Sequence, residues 1–132
     1  MTDSNANKLP MTSCRPYLLR ATYEWIIDND MTPFILVDAN VENVHIPRNY
    51  VANGKIILNI SPSAVQALEI GNDVLKFDAR FNGSPMTIVA PIHATLAIYA
   101  KENGRGMVFS EDDNPPEPTK NATQQPQLRV VK

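Results

Sequence analysis

The chain has 132 residues, a 43% apolar fraction and a net charge of −2, which suits one compact domain with loose ends. That charge balance argues against a general nucleic-acid or anionic-membrane binder, which carries a basic excess, and no apolar run approaches the roughly 20 residues of a membrane span. A single cysteine, Cys14, leaves no internal disulfide, and MTDSNANKLP lacks a signal peptide's apolar centre, so the chain reads as cytoplasmic.

Residues 1–14 are polar and read as a frayed N-terminus. The first element is RPYLLRATYEWIIDN, a helix with Pro16 suited to its first position because a proline lacks the N–H that would go unpaired there. Leu18, Ala21 and Trp25 fall on one line, and Leu19, Tyr23 and Ile26 on a neighbouring one. Arg20, Glu24 and Asp28 recur every four residues as the polar stripe. So wide an apolar face allows two readings: all of it packs within the domain, or one side covers the core and the other meets a partner helix.

After Thr32-Pro33 the pattern turns to strands. FILVDANV is a short β-rich run, and NGKIILNI follows a turn at Asn53-Gly54. SPSAVQAL reads as a brief helix, with Ser61 as N-cap, Pro62 at the first position, and Val65 and Leu68 facing inward. In VLKFDARF, Leu75, Phe77, Ala79 and Phe81 alternate with Lys76, Asp78 and Arg80, the period of a half-buried strand. Asn82-Gly83 is a favoured two-residue hairpin turn leading into PMTIVAP. IHATLAIYAKENGRGMVF fits a helix capped at Gly104 or a hairpin about ENGRG. The hairpin is favoured, because Ala94, Leu96, Ile98 and Ala100 alternate and the other strands need edge partners. The sum is one amphipathic helix and about six strands, a mainly β fold of small barrel or sandwich type.

The chemistry of catalysis is missing from this pattern. His45 and His93 are far apart with no second ligand at metal spacing, and Cys14 has no nearby histidine to activate it. NGRG and NGSP are turns, with neither GxxxxGK[ST] nor GxGxxG present. Asp112 and Asp113 read as part of a solvated stretch. The expectation is a non-enzymatic protein needing no metal or cofactor. What the pattern does offer is a surface for binding: Ala79, a small residue among Leu75, Phe77 and Phe81, either leaves a slot for an extended peptide or packs tightly against a neighbouring sheet. Arg80, on the opposite face, is by default a solvated charge.

Ser110 to Gln127 contains nothing apolar larger than Ala122, yet the chain then ends in LRVVK. The stretch reads as a disordered tail of 18 residues with a root-mean-square span of roughly 20–25 Å. Its apolar, basic tip is either a docking motif or an incidental terminus.

RPYLLRATYEWIIDN, TPFILVDANVENVHIP, KIILNISPSAV, KFDARFNG, LAIYAKENGRGMVF and the terminal LRVVK together resemble the stringent starvation protein B (SspB) family, adaptors of the ClpXP protease. The likeness runs from about Arg15 to Phe109 and returns at the terminus. It implies an Sm-like β fold that pairs through its N-terminal helix into a homodimer, with Leu18, Ala21, Tyr23 and Trp25 at the contact. It also implies a groove for the ssrA degradation tag, which tmRNA adds to products of stalled ribosomes, and for some untagged substrates. By position Asn59, Ile60, Ala79, Arg80 and Phe81 match the tag-binding region, while Leu128, Arg129, Val130, Val131 and Lys132 match the module that docks on the N-terminal domain of ClpX. Residues 15–109 would then form the tag-binding and dimerisation domain and 110–127 the linker, shorter and less acidic than many family tails. Sm-like folds often bind RNA, so an RNA-binding protein is the alternative; the acidic balance and the lack of a Lys/Arg cluster beside exposed aromatics count against it.

Overall fold

The computed structural model describes residues 11–110, of which Arg15–Phe109 form one compact unit. The readings made for residues 1–10 and 111–132, the docking tip Leu128–Lys132 included, lie outside the described residues.

Helix α1 (Arg15–Asp28) precedes seven strands: β1 (Pro33–Asp38), β2 (Lys55–Asn59), β3 (Gln66–Ile70), β4 (Val74–Phe81), β5 (Ser84–Pro91), β6 (Thr95–Ala100) and β7 (Gly106–Val108). They make two antiparallel sheets, β2-β1-β6-β7 and β3-β4-β5, with no closed barrel among the described residues. Register puts Ile35, Val37, Ile56, Leu58 and Ile98 on one face of the first sheet. Leu75, Phe77, Ile88 and Ala90 line the inner face of the second, and both sets join Leu19 and Ile26 of α1 in one buried core. Period-two alternation in the strands thus supplies the two walls, and the helix closes over them.

Two long side chains pin the helix. Arg15 Nη1 donates to the His93 and Thr95 carbonyls at 3.1 and 3.0 Å, its guanidinium 5.3 Å above the Phe109 ring. Arg20 Nη1 donates to the Ile70 carbonyl at 2.9 Å, tying α1 to the end of β3. At the far end, Glu102 accepts from the Thr32 N–H (2.9 Å) and hydroxyl (2.7 Å). Those bonds, the backbone one first, hold its carboxyl below the usual carboxylate range.

Asn53-Gly54 and Asn82-Gly83 form the expected turns, all four residues having positive φ. The segment from 92 to 109 forms a hairpin, β6 against β7, rather than a helix. Its inward set differs from plain alternation. Ile92–Ala94 is a 3₁₀ turn, and the β1–β6 register shifts between Leu36 and Val37, so Thr95 and Ala97 are buried along with Ala94, Ile98 and Ala100. The expected brief helix over SPSAVQAL shrinks to a single turn, in which the Ala64 and Val65 N–H groups bond the Ser61 carbonyl. Gln66–Ile70 then runs as a strand along β4. A helix of two turns is marginal by itself, and pairing with β4 satisfies more backbone groups than a second turn would.

Gly106 sits where β7 meets β6. A Cβ there would overlap the Ile98 carbonyl oxygen and lie 2.6 Å from Tyr99 Cα. Both are backbone atoms and yield little, so Gly106→Ala is expected to cost on the order of 2–3 kcal/mol. A lowered urea midpoint at unchanged m-value would show it, and an unchanged midpoint would refute it.

Candidate peptide-binding site

β4 presents two different faces by simple alternation. Leu75 and Phe77 point into the core, Ala79 and Phe81 are half-buried, and Lys76, Asp78 and Arg80 face solvent. Past Asp78 the chain that pairs with β4 turns away, because residues 61–65 coil instead of continuing β3. The gap is a groove of about 370 Å³ with Asp78, Ala79, Arg80 and Pro85 on one side and the turn from Pro62 to Gln66 on the other. A second cavity of about 300 Å³ adjoins it at Pro85, lined by Pro47, Tyr50, Phe81 and Met86. Tyr50 and Phe81 stack at a tilt there, ring centroids 5.7 Å apart.

The five residues matched to a tag-binding region do not all reach this space. Ala79 and Arg80 line the larger cavity and Phe81 the smaller one. Asn59 is exposed at the end of β2, and its Oδ1 accepts the Ser61 N–H at 2.9 Å, so it shapes the turn that walls the groove. Ile60 has no exposed surface and is part of the core beneath. Tyr50, Pro85 and the Pro62–Gln66 wall, none of them read as site residues from the sequence, also border this space. Ser-Pro-Ser after Asn59 is a turn cluster, and read that way it would have placed the wall in a loop.

The electrostatics are sparse and directional. Arg80 Nη1 donates to the Gly83 carbonyl at 3.0 Å, which steers the guanidinium toward the hairpin tip. Asp78 Oδ1 accepts the Thr87 hydroxyl at 2.7 Å. A cation at the rim, backbone groups along the floor and an aromatic cleft beside them can hold an extended peptide with an acidic or polar part and an apolar or aromatic one. Among the described residues no cluster of His, Cys, Asp or Glu could hold a metal ion, and no helix is long and apolar enough to cross a membrane.

Away from the groove residues, α1 sends Leu19 and Ile26 into the core and leaves Ala21 and Trp25 exposed, Trp25 at 44%. Tyr17, also exposed, extends the same line one turn earlier. Leu18 and Tyr23 are half-buried at its margins, and burial pushes the Tyr23 phenol pKa up. Arg20 lies over the Tyr17 ring (4.7 Å) and Arg105 over Trp25 (5.5 Å).

The family model for Stringent starvation protein B matches residues 13–131. The chain belongs to that family. A curated relative, the Stringent starvation protein B homolog of Haemophilus influenzae, is 48% identical over 99 residues. The match covers 75% of this chain and 66% of the relative, so the aligned stretch spans about two thirds of that protein. The family match takes in α1, both sheets, the β4 groove and the residues of the LRVVK terminus up to Val131.

Proposed function

We propose that this SspB-family chain is a cytoplasmic, non-enzymatic adaptor with an Sm-like domain. The domain binds the ssrA degradation tag, and some untagged substrates, in the β4 groove. Through Leu128–Lys132 it docks on ClpX and hands those substrates to ClpXP. The observation that carries the reading is the groove: the two matched residues Ala79 and Arg80 border about 370 Å³ of open space, with Phe81 in the aromatic cleft alongside. A tag with polar and acidic residues followed by a tyrosine has the chemistry for a cationic rim and an apolar cleft. The direct test is a titration of a fluorescein-labelled ssrA peptide followed by anisotropy. Saturable binding in the micromolar range or tighter is expected; no rise in anisotropy would defeat the proposal.

The adaptor is further proposed to be a homodimer through the exposed line Tyr17, Ala21 and Trp25, flanked by Leu18 and Tyr23. Two large aromatics on one helix face, partly covered by Arg20 and Arg105, resemble an interface core with its charged rim. Trp25→Glu is expected to weaken the dimer at least roughly thirtyfold, as loss of an aromatic hot spot does. Sedimentation velocity reads this directly. A monomeric parent chain at micromolar concentration, or a variant dimer as tight as the parent's, would contradict the assignment.

A further inference from the structure

The direction of every backbone group along β4 follows from its hairpin turn. A two-residue turn at Asn82-Gly83 closes on a pair that exchanges hydrogen bonds, Phe81 with Ser84. Counting back, Ala79, Phe77 and Leu75 bond to β5, while Arg80, Asp78, Lys76 and Val74 turn their N–H and C=O groups away from it. The neighbouring residues agree. Pro85 and Pro91, which have no N–H to give, stand opposite Arg80 and Val74. The Val74 carbonyl accepts from Gly71 on the β3 side, and Val89, opposite Lys76, exchanges both its bonds with His45 beyond β5.

On the outward side of β4, β3 faces Leu75, Lys76 and Asp78 and then stops. Its register shifts between Gln66 and Glu69, where two residues, Ala67 and Leu68, oppose the single Phe77. Ala67 has φ 57°, left-handed backbone in a residue other than glycine, the conformation that glycine usually supplies at the first position of a G1 bulge. The bulge bends β3, and the turn at residues 61–65 carries the chain off before it reaches Arg80. Among the described residues no strand stands opposite Arg80 on that side, and the 370 Å³ groove lies there.

We infer that a bound peptide completes this edge as an added strand, its main chain exchanging hydrogen bonds with the N–H and C=O of Arg80. This rests on the peptide-binding reading above and states how that site reads its ligand. A single main-chain anchor fixes the peptide's register and depends little on side-chain identity, which suits a site that accepts sequences only loosely alike. Flanking side chains then fall alternately toward the Pro62–Gln66 wall and toward solvent.

The test replaces each peptide amide in turn with an ester, which removes one N–H donor and leaves the side chains unchanged, and measures competition against the labelled ssrA peptide. One position is expected to lose about five- to tenfold in affinity, the worth of one main-chain hydrogen bond, with insensitive positions on either side. In parallel, amide exchange by NMR should show the Arg80 N–H becoming at least about tenfold more protected when the peptide binds, while Ala79 and Phe81, already bonded to β5, change little. A uniform ester scan together with unchanged Arg80 exchange, the parent peptide still binding, overturns the added strand and leaves the peptide-binding reading standing. If the unmodified peptide does not bind, both fall.

Discussion

A chain ending at Gln127 is expected to lose stimulation of ClpXP while keeping its affinity for the ssrA tag within about twofold. The measurement is degradation of an ssrA-tagged fluorescent reporter at sub-saturating concentration, with the full chain and the shortened one side by side. In the proposed mechanism LRVVK makes no contact with the substrate. It converts delivery from a bimolecular encounter into an intramolecular one, at an effective concentration in the millimolar range for short tethers. A linker with the composition of residues 110–127 spans roughly 20–25 Å, so a substrate in the groove stays that close to its destination. The full chain should therefore lower the apparent KM about tenfold or more with little change in kcat, the two tails of a dimer adding avidity. The shortened chain should give the unassisted rate, or a slower one where it shields the tag. Equal stimulation by both chains would remove the docking role from Leu128–Lys132.

Ala79→Gln is expected to weaken tag binding at least roughly tenfold, a loss of about 1.4 kcal/mol. Ala79 is half-buried and lines the groove beside Arg80, across from the Pro62–Gln66 turn. A longer side chain there occupies the space a peptide needs, and its amide group would have to be desolvated or swung outward when the peptide arrives. The position is not deep in the core, so the fold should tolerate the change; circular dichroism and the urea midpoint check that. Lys76→Gln, on the solvent face of the same strand, should leave the affinity unchanged. A folded Ala79→Gln variant that binds the tag like the parent would place the site elsewhere.

Much of the scaffold was legible from local pattern. β4 announced itself by strict alternation, and the Asn-Gly pairs at 53–54 and 82–83 marked their turns because type I′ geometry needs positive φ at both positions. The helix was legible to within a residue at each end: it starts at Arg15, one residue before Pro16, and ends at Asp28, one residue before the stretch read as helix closes at Asn29. The region from 61 to 70 was not legible. Ser-Pro-Ser followed by spaced apolar residues satisfies the rules for a helix start, yet the chain coils once and becomes a strand. What overrides local preference is the open side of β4, roughly ten residues downstream. The matched site residues divide for a similar reason. Ala79, Arg80 and Phe81 share one strand and stay together, whereas Asn59 and Ile60 enter the groove's construction only through the turn they support.

By itself the sequence determined one helix, most of the strands, the inward residues of β4, and a chain end unlike the stretch before it. Each of those rests on spacing within a dozen residues, where 3.6- and 2-residue periods are read without knowing the partner. Only the tertiary structure decided which apolar line of α1 turns inward. Leu18, Ala21 and Trp25 matched the helical period as well as Leu19, Tyr23 and Ile26 did, and the choice fell to where the two sheets leave room. The open edge at Arg80 was likewise a tertiary outcome. Whether a backbone group is paired depends on where a distant strand bends, and here the bend at Ala67 leaves no strand beside Arg80 on that side among the described residues.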